Sequence, residues 1–214
     1  MVLKPRPALP WRDFFQQFLL SVRQIIAGDN RMIGIAATLV FNVMTIPGVP
    51  VHEYAHALAC RLSGVRVHKV CYLRIGNPRG YVLHDQPDTS WQHIIIAVAP
   101  FIVCSVVAVL VGCAAGLFLE AGLLSKQHQE IAGPFMLWLA WATGACAFPS
   151  GGDADSLWQS TKSRDISLFG KLLVMPVVGL IRLGQVGSFF WLDLVWGIVT
   201  GVTIPASILK LSGA

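Results

Sequence analysis

The chain has 214 residues, of which 55% are hydrophobic and 13% charged, and its net charge is +5. Soluble domains carry about 25% charged residues, so this composition leaves a water-facing surface uncovered and excludes an ordinary soluble globular class. The small basic excess clusters outside the apolar runs, which suits anionic lipid headgroups and not nucleic acid.

The five cysteines, Cys60, Cys71, Cys104, Cys113 and Cys146, form no C-x-x-C pair. Neither a disulfide framework nor a thiolate zinc site is expected. Residues 1–10 read as a basic, proline-rich tail. Over 11–27, Phe14, Phe18, Val22 and Ile25 recur at helical spacing against Arg12, Asp13, Gln17 and Arg23. That pattern predicts an interfacial amphipathic helix, or one packed on the protein itself.

The first apolar stretch, 32–62, exceeds the roughly 20 residues that cross a bilayer. Pro47-Gly48-Val49-Pro50 predicts a break in it, followed by a helix over 50–63 that Ser63-Gly64 ends. This helix carries His52-Glu53-Tyr54-Ala55-His56, an H-E-x-x-H motif. Residues four apart share a helix face, so both imidazoles can reach one metal ion. Glu53 beside them can take a proton from water at that ion. Ionisable groups in a membrane segment are costly and mark function.

Residues 65–73 alternate as a strand, Asn77-Pro78-Arg79-Gly80 signals a turn, and 80–84 reads as a second strand. A small β-hairpin is expected at the membrane face, because an unpaired edge cannot sit in lipid. Such an edge offers strand addition to an extended peptide. Further spans are expected over 91–119, 133–155 and 188–211. The stretch 168–183, interrupted by Lys171 and Arg182, is short for a fifth. The fold expected is an all-α polytopic membrane protein with four to five transmembrane helices. An N-terminal interfacial region over 1–30 precedes an embedded domain over 31–214.

A zinc site of this kind needs a third protein ligand and an open position. The candidates are Asp153, Asp155, Glu120, Asp193, His84, His93 and His128. Asp153 and Asp155 stand out, because they end an apolar run beside Gly151-Gly152. Two residues apart on a helix, they point to different faces, so one ligand is expected from the pair. Ser150-Gly151-Gly152-Asp153 also has the form of a helix capping box. The sequence is equally compatible with capping and ligation.

His52 to Ala59, followed by Arg61-Leu62-Ser63-Gly64-Val65, resembles the catalytic helix of site-2 protease-like membrane zinc metalloproteases. The order of elements over 32–156 is similar too, and Pro149 to Asp153 resembles the Pro-Ser-x-x-Asp segment of a divergent branch. The resemblance implies a membrane-embedded zinc endopeptidase, with Zn²⁺ on His52, His56 and Asp153 and Glu53 as general base. Asp155 is the alternative third ligand. Asp153 precedes Ala154 where the family has Asp-Gly, and Ala99-Pro100 with Val103 replaces Gly-Pro-x-x-Asn. No oxyanion donor therefore carries over, and Asn77 and His84 are the candidates for that role. The expected partners are a membrane protein or peptide substrate, the lipid bilayer and a separate regulatory protein. The expected location is a cell membrane, plasma or inner. The rival reading is a non-proteolytic membrane protein of the same fold that acts as a binding or regulatory partner.

Overall fold

A computed structural model describes residues 39–74, 78–121, 125–160, 168–189 and 191–212. The tail, the amphipathic helix expected over 11–27, residues 32–38 of the first stretch and the candidate Asn77 lie outside them. The chain divides into Met1–Val43 and Met44–Ala214. The first unit is described only over 39–43, which is helical.

Thr45, Ile46 and Pro47 form a turn, and helix α1 runs Gly48–Leu62. Pro50 falls in its first turn, where a missing N–H breaks no helical bond. The end is set by Gly64, whose φ of +77° suits a residue without Cβ. There the N–H of Val65 donates to the Cys60 carbonyl at 2.8 Å and that of Gly64 to Arg61 at 3.3 Å. This is the Schellman pattern. It turns the chain so that Val65 packs with Ala59, Cys60 and Ile96.

Strands β1, Val67–Cys71, and β2, Tyr81–His84, pair antiparallel, with Val70 opposite Val82 and Cys71 opposite Tyr81. The register shifts between Val67 and Lys69. Helix α2, Ser90–Glu120, starts with a capping box between Thr89 and Gln92 and has Pro100 inside it. Gln92 Nε2 also donates to the Ser63 carbonyl at 2.9 Å, tying the start of α2 to the end of α1. Helices α3, Lys126–Ala145, α4, Gly151–Ser160, and α5, Leu168–Phe189, follow. Helix α6, Leu192–Ile198, runs through a π-helical segment, Val199–Thr203, into α7, Ile204–Ser212.

Among the described residues, two helices are long and apolar enough to cross a membrane, Ser90–Glu120 and Leu192–Ser212. The other expected spans are built differently. The described part of 32–62 is a turn followed by a 15-residue helix. The stretch 133–155 is two helices, because residues 146–150 leave helical geometry between α3 and α4. Asp153 therefore sits in the first turn of a new helix and not at the end of a span. In α5 the apolar part, Val174–Gly184, is shorter than a bilayer crossing.

The short α4 is held by packing. Ala154 and Leu157 on α4 meet Ile94 and Ala97 on α2 and Val174, Val178 and Ile181 on α5 in one buried cluster. Ala154 is fully buried one residue beyond Asp153. The cluster fixes the rotation of α4, and so the direction in which its aspartates leave the helix.

Candidate metal centre

His52 and His56 share a face of α1, with their Nε2 atoms 3.2 Å apart. His52 Nδ1 lies 2.7 Å from the Cys146 carbonyl oxygen, and His56 Nδ1 lies 2.8 Å from that of Ile96. A carbonyl only accepts, so each ring donates from Nδ1, and a neutral ring so held presents its lone pair at Nε2. Asp153 Oδ1 lies 3.3 Å from His56 Nε2. The ligand atoms of the three residues all lie within 4.8 Å of one another. Three lone-pair groups this close need a proton or a cation between them.

Zinc fits this donor set. Ligands about 2.0–2.1 Å from a tetrahedral ion stand about 3.3 Å from one another. The two closest pairs, at 3.2 and 3.3 Å, have that spacing. Two neutral imidazoles and one carboxylate also leave a fourth position for water, as a catalytic site requires.

Each carbonyl that orients a histidine is one its own helix does not use. Pro100 has no N–H to return to the carbonyl four residues earlier, and that carbonyl belongs to Ile96. Cys146 is the C-cap of α3, where carbonyls lack helical partners and the helix dipole is negative. Gly48 permits the second contact. A Cβ there would stand 2.7 Å from Cys146 Sγ and would overlap the Ala142 carbonyl. Without one, the start of α1 meets the end of α3 backbone to backbone.

Asp153 caps α4 with one carboxylate oxygen and turns the other to the candidate site. Oδ2 accepts from the Ser150 N–H at 2.6 Å and from Ser150 Oγ at 2.7 Å. Oδ1 faces His56. The cap holds the carboxylate with its second oxygen turned to the histidines. Asp155, the alternative ligand, leaves α4 in another direction and forms an ion pair with Arg182 of α5.

The remaining candidates lie outside the cluster. His84 sits half-buried on β2, with Nδ1 2.7 Å from the Asp85 carbonyl oxygen. His128 Nδ1 lies 2.7 Å from Ser125 Oγ. Asp193 Oδ1 accepts from the Leu194 N–H at 2.9 Å. Glu120 and His93 lie near opposite ends of α2. Among the described residues, His52, His56 and Asp153 form the group able to hold a metal. Glu53 follows His52 on α1 and is buried.

Sequence reasoning missed the carbonyls of Cys146 and Ile96, since a backbone oxygen leaves no mark on residue identity. Pro100 was a readable signal for one of them, as a helical proline orphans the carbonyl four residues before it. Arg182 was a signal for the other ion pair, since an arginine in an apolar stretch calls for a counter-ion.

A family model described as "putative zincin peptidase" (DUF3267) matches residues 45–149. Over that region the chain is similar to a zinc metallopeptidase family, and the match implies zinc as the cofactor. It takes in His52, Glu53 and His56 and ends before Asp153, so the third ligand rests on geometry alone. No curated protein and no solved structure matches the chain.

Proposed function

We propose that the chain is a membrane-embedded zinc endopeptidase of the site-2 protease-like kind, cleaving membrane-associated or transmembrane segments. The observation that carries this is the convergence of two histidine Nε2 atoms and the Asp153 carboxylate beside a buried glutamate. Zinc held there supplies Lewis-acid polarisation of a carbonyl and a water acidic enough to ionise near neutral pH.

The chain's own residues do the rest. His52 and His56, with Nδ1 committed to carbonyls, turn Nε2 toward the metal position. Asp153 adds a negative charge that offsets part of the dication's. Glu53 removes the proton from the attacking water as its oxygen bonds to the peptide carbon. It then delivers that proton to the amine as the C–N bond breaks. A helical substrate has to unwind locally first, because its carbonyls are engaged in its own hydrogen bonds.

Membrane embedding is supported by the apolar composition and by what the helices present outward. On α2, Ile102, Val106, Leu110 and Leu117 are all at least half exposed. A stripe of that length is covered by lipid or by another apolar surface. We assign crossings to α2 and to the segment Leu192–Ser212 on this basis, in a plasma or inner membrane. A separate membrane protein would supply the substrate, and a further one the regulation.

The test compares wild type with Glu53→Gln in detergent micelles, measuring zinc content and casein cleavage. We expect the variant to hold zinc as wild type does and to lose cleavage. Cleavage retained by Glu53→Gln would overturn the mechanism. A zinc-bound wild type that cleaves neither casein nor membrane-protein substrates would favour the binding-partner reading.

A further inference from the structure

The glutamate of the motif has a neighbour that the motif does not contain. Gly80, the buried residue just before β2, lies directly against the Glu53 side chain. A Cβ on Gly80 would stand 2.5 Å from Glu53 Cγ, 2.8 Å from Oε1 and 2.9 Å from Cδ. Real Cβ contacts are not that short, so the Glu53 carboxyl occupies the space in which a side chain at 80 would sit. Gly80 is outside the positive-φ residues among those described. Its glycine identity is therefore not needed for backbone geometry.

The preceding residue pins this contact. Arg79 Nη1 donates to Thr45 Oγ1 at 3.0 Å. Thr45 is buried in the turn that starts α1, and its carbonyl accepts from the Gly48 N–H at 3.1 Å. On the other side, the Arg79 carbonyl accepts from the Arg74 N–H at 2.7 Å. The Pro78 carbonyl accepts from Arg74 Nε at 2.8 Å. The segment leading to Gly80 is thus fastened both to the residues after β1 and to the entry of the helix that carries Glu53. A hydrogen bond from a charged donor is stronger than one between neutral groups. Burial protects it from competing water.

We propose that Gly80, held in place by the Arg79–Thr45 hydrogen bond, sets the position of the Glu53 carboxylate beside the metal site. Gly80 and Arg79 are positioning residues that act through Glu53. This rests on the peptidase reading only in taking Glu53 as the proton carrier. The geometry predicts how substitutions behave. In Gly80→Ala the group that must give is a flexible side chain and not backbone, so the carboxylate moves while the fold and the metal ligands stay. In Arg79→Ala the segment loses its anchor on α1. In Arg79→Lys a charged donor is kept.

The full chain in detergent micelles is loaded with cobalt(II), whose absorption bands report the ligand geometry. Acetohydroxamate is then titrated in. It ligates the metal and loses a proton, and a well-placed carboxylate accepts a hydrogen bond from it. Its affinity therefore reads the position of Glu53 without any turnover. Loss of a hydrogen bond to a charged group weakens binding about tenfold or more. We expect that loss in Glu53→Gln, and the same loss in Gly80→Ala and Arg79→Ala. Arg79→Lys should recover most of the affinity, and the exposed control Arg66→Ala should match wild type. Cobalt content and spectrum before titration should be the same in all.

Wild-type acetohydroxamate affinity in Gly80→Ala would overturn the proposal. So would loss of cobalt in that variant, since the position would then support the ligands. A wild type that binds cobalt but not acetohydroxamate would overturn it as well. Casein cleavage is measured on the same samples. If wild type does not cleave while the affinity pattern holds, the peptidase reading fails and the positioning role stands.

Discussion

Helices α1 and α4 both carry residues of the candidate metal site, and they place them by different means. On α1 the two histidines face one way because they are four residues apart, whatever surrounds the helix. On α4 the two acidic residues are two apart and leave different faces, and packing decides which face meets the histidines. Asp153 is turned to His56 by the Ser150 cap, and Asp155 is turned to Arg182 on α5. A ligand set by local spacing tolerates change around it. A ligand set by packing depends on every contact that fixes the helix.

The largest expected effects test which residues are ligands at all. His56→Ala and Asp153→Asn should reduce metal from about one zinc per chain to near none by elemental analysis, while Asp155→Asn keeps it. Loss of zinc in Asp155→Asn with retention in Asp153→Asn would reverse the assignment on α4.

The next effects test the supports. Ser150→Ala removes the hydroxyl that holds Asp153 Oδ2 and should weaken zinc binding by about 10–100-fold, as outer-shell changes do. Pro100→Ala restores an N–H able to compete for the Ile96 carbonyl. It should lower zinc affinity by up to about tenfold while making α2 more regular. Zinc titration against a competing chelator checks both. An unchanged affinity in Pro100→Ala would mean that the orphaned carbonyl is not what orients His56.

A smaller effect separates stability from ligation. Asp155→Asn breaks a partly buried ion pair and should lower stability by about 1–3 kcal/mol, between the exposed and buried limits. Thermal unfolding in micelles would show it, and the double swap Asp155→Arg with Arg182→Asp should recover most of it. The smallest effect is expected at His84, which lies outside the cluster. His84→Ala should leave zinc content and cleavage at the wild-type level. A fall in cleavage with zinc retained would return His84 to the role of oxyanion donor.

Much of this architecture was legible because it depends on local order along the chain. The H-E-x-x-H spacing, the prolines before α1, the Ser63-Gly64 stop, the alternation of the two strands and the Ser150–Asp153 cap all act within a few residues. The helix expected over 50–63 runs Gly48–Leu62, and the strands expected over 65–73 and 80–84 pair as β1 and β2. The stretch 133–155 was misread as one span because hydropathy does not register the break at residues 146–150. That break matters, since it creates both the free Cys146 carbonyl and the cap that aims Asp153.

The sequence by itself determined the metal chemistry: two imidazoles one helical turn apart, a glutamate beside them and an aspartate within a capping box. Tertiary structure decided the rest. It turned Asp153 to the histidines and Asp155 to Arg182, gave each histidine its carbonyl, and laid Gly80 against Glu53. These relations join residues from about 27 to more than 90 positions apart, and the contacts are largely to backbone oxygens or to a missing side chain. Such partners have no side-chain pattern to read, and they come together only when helices pack.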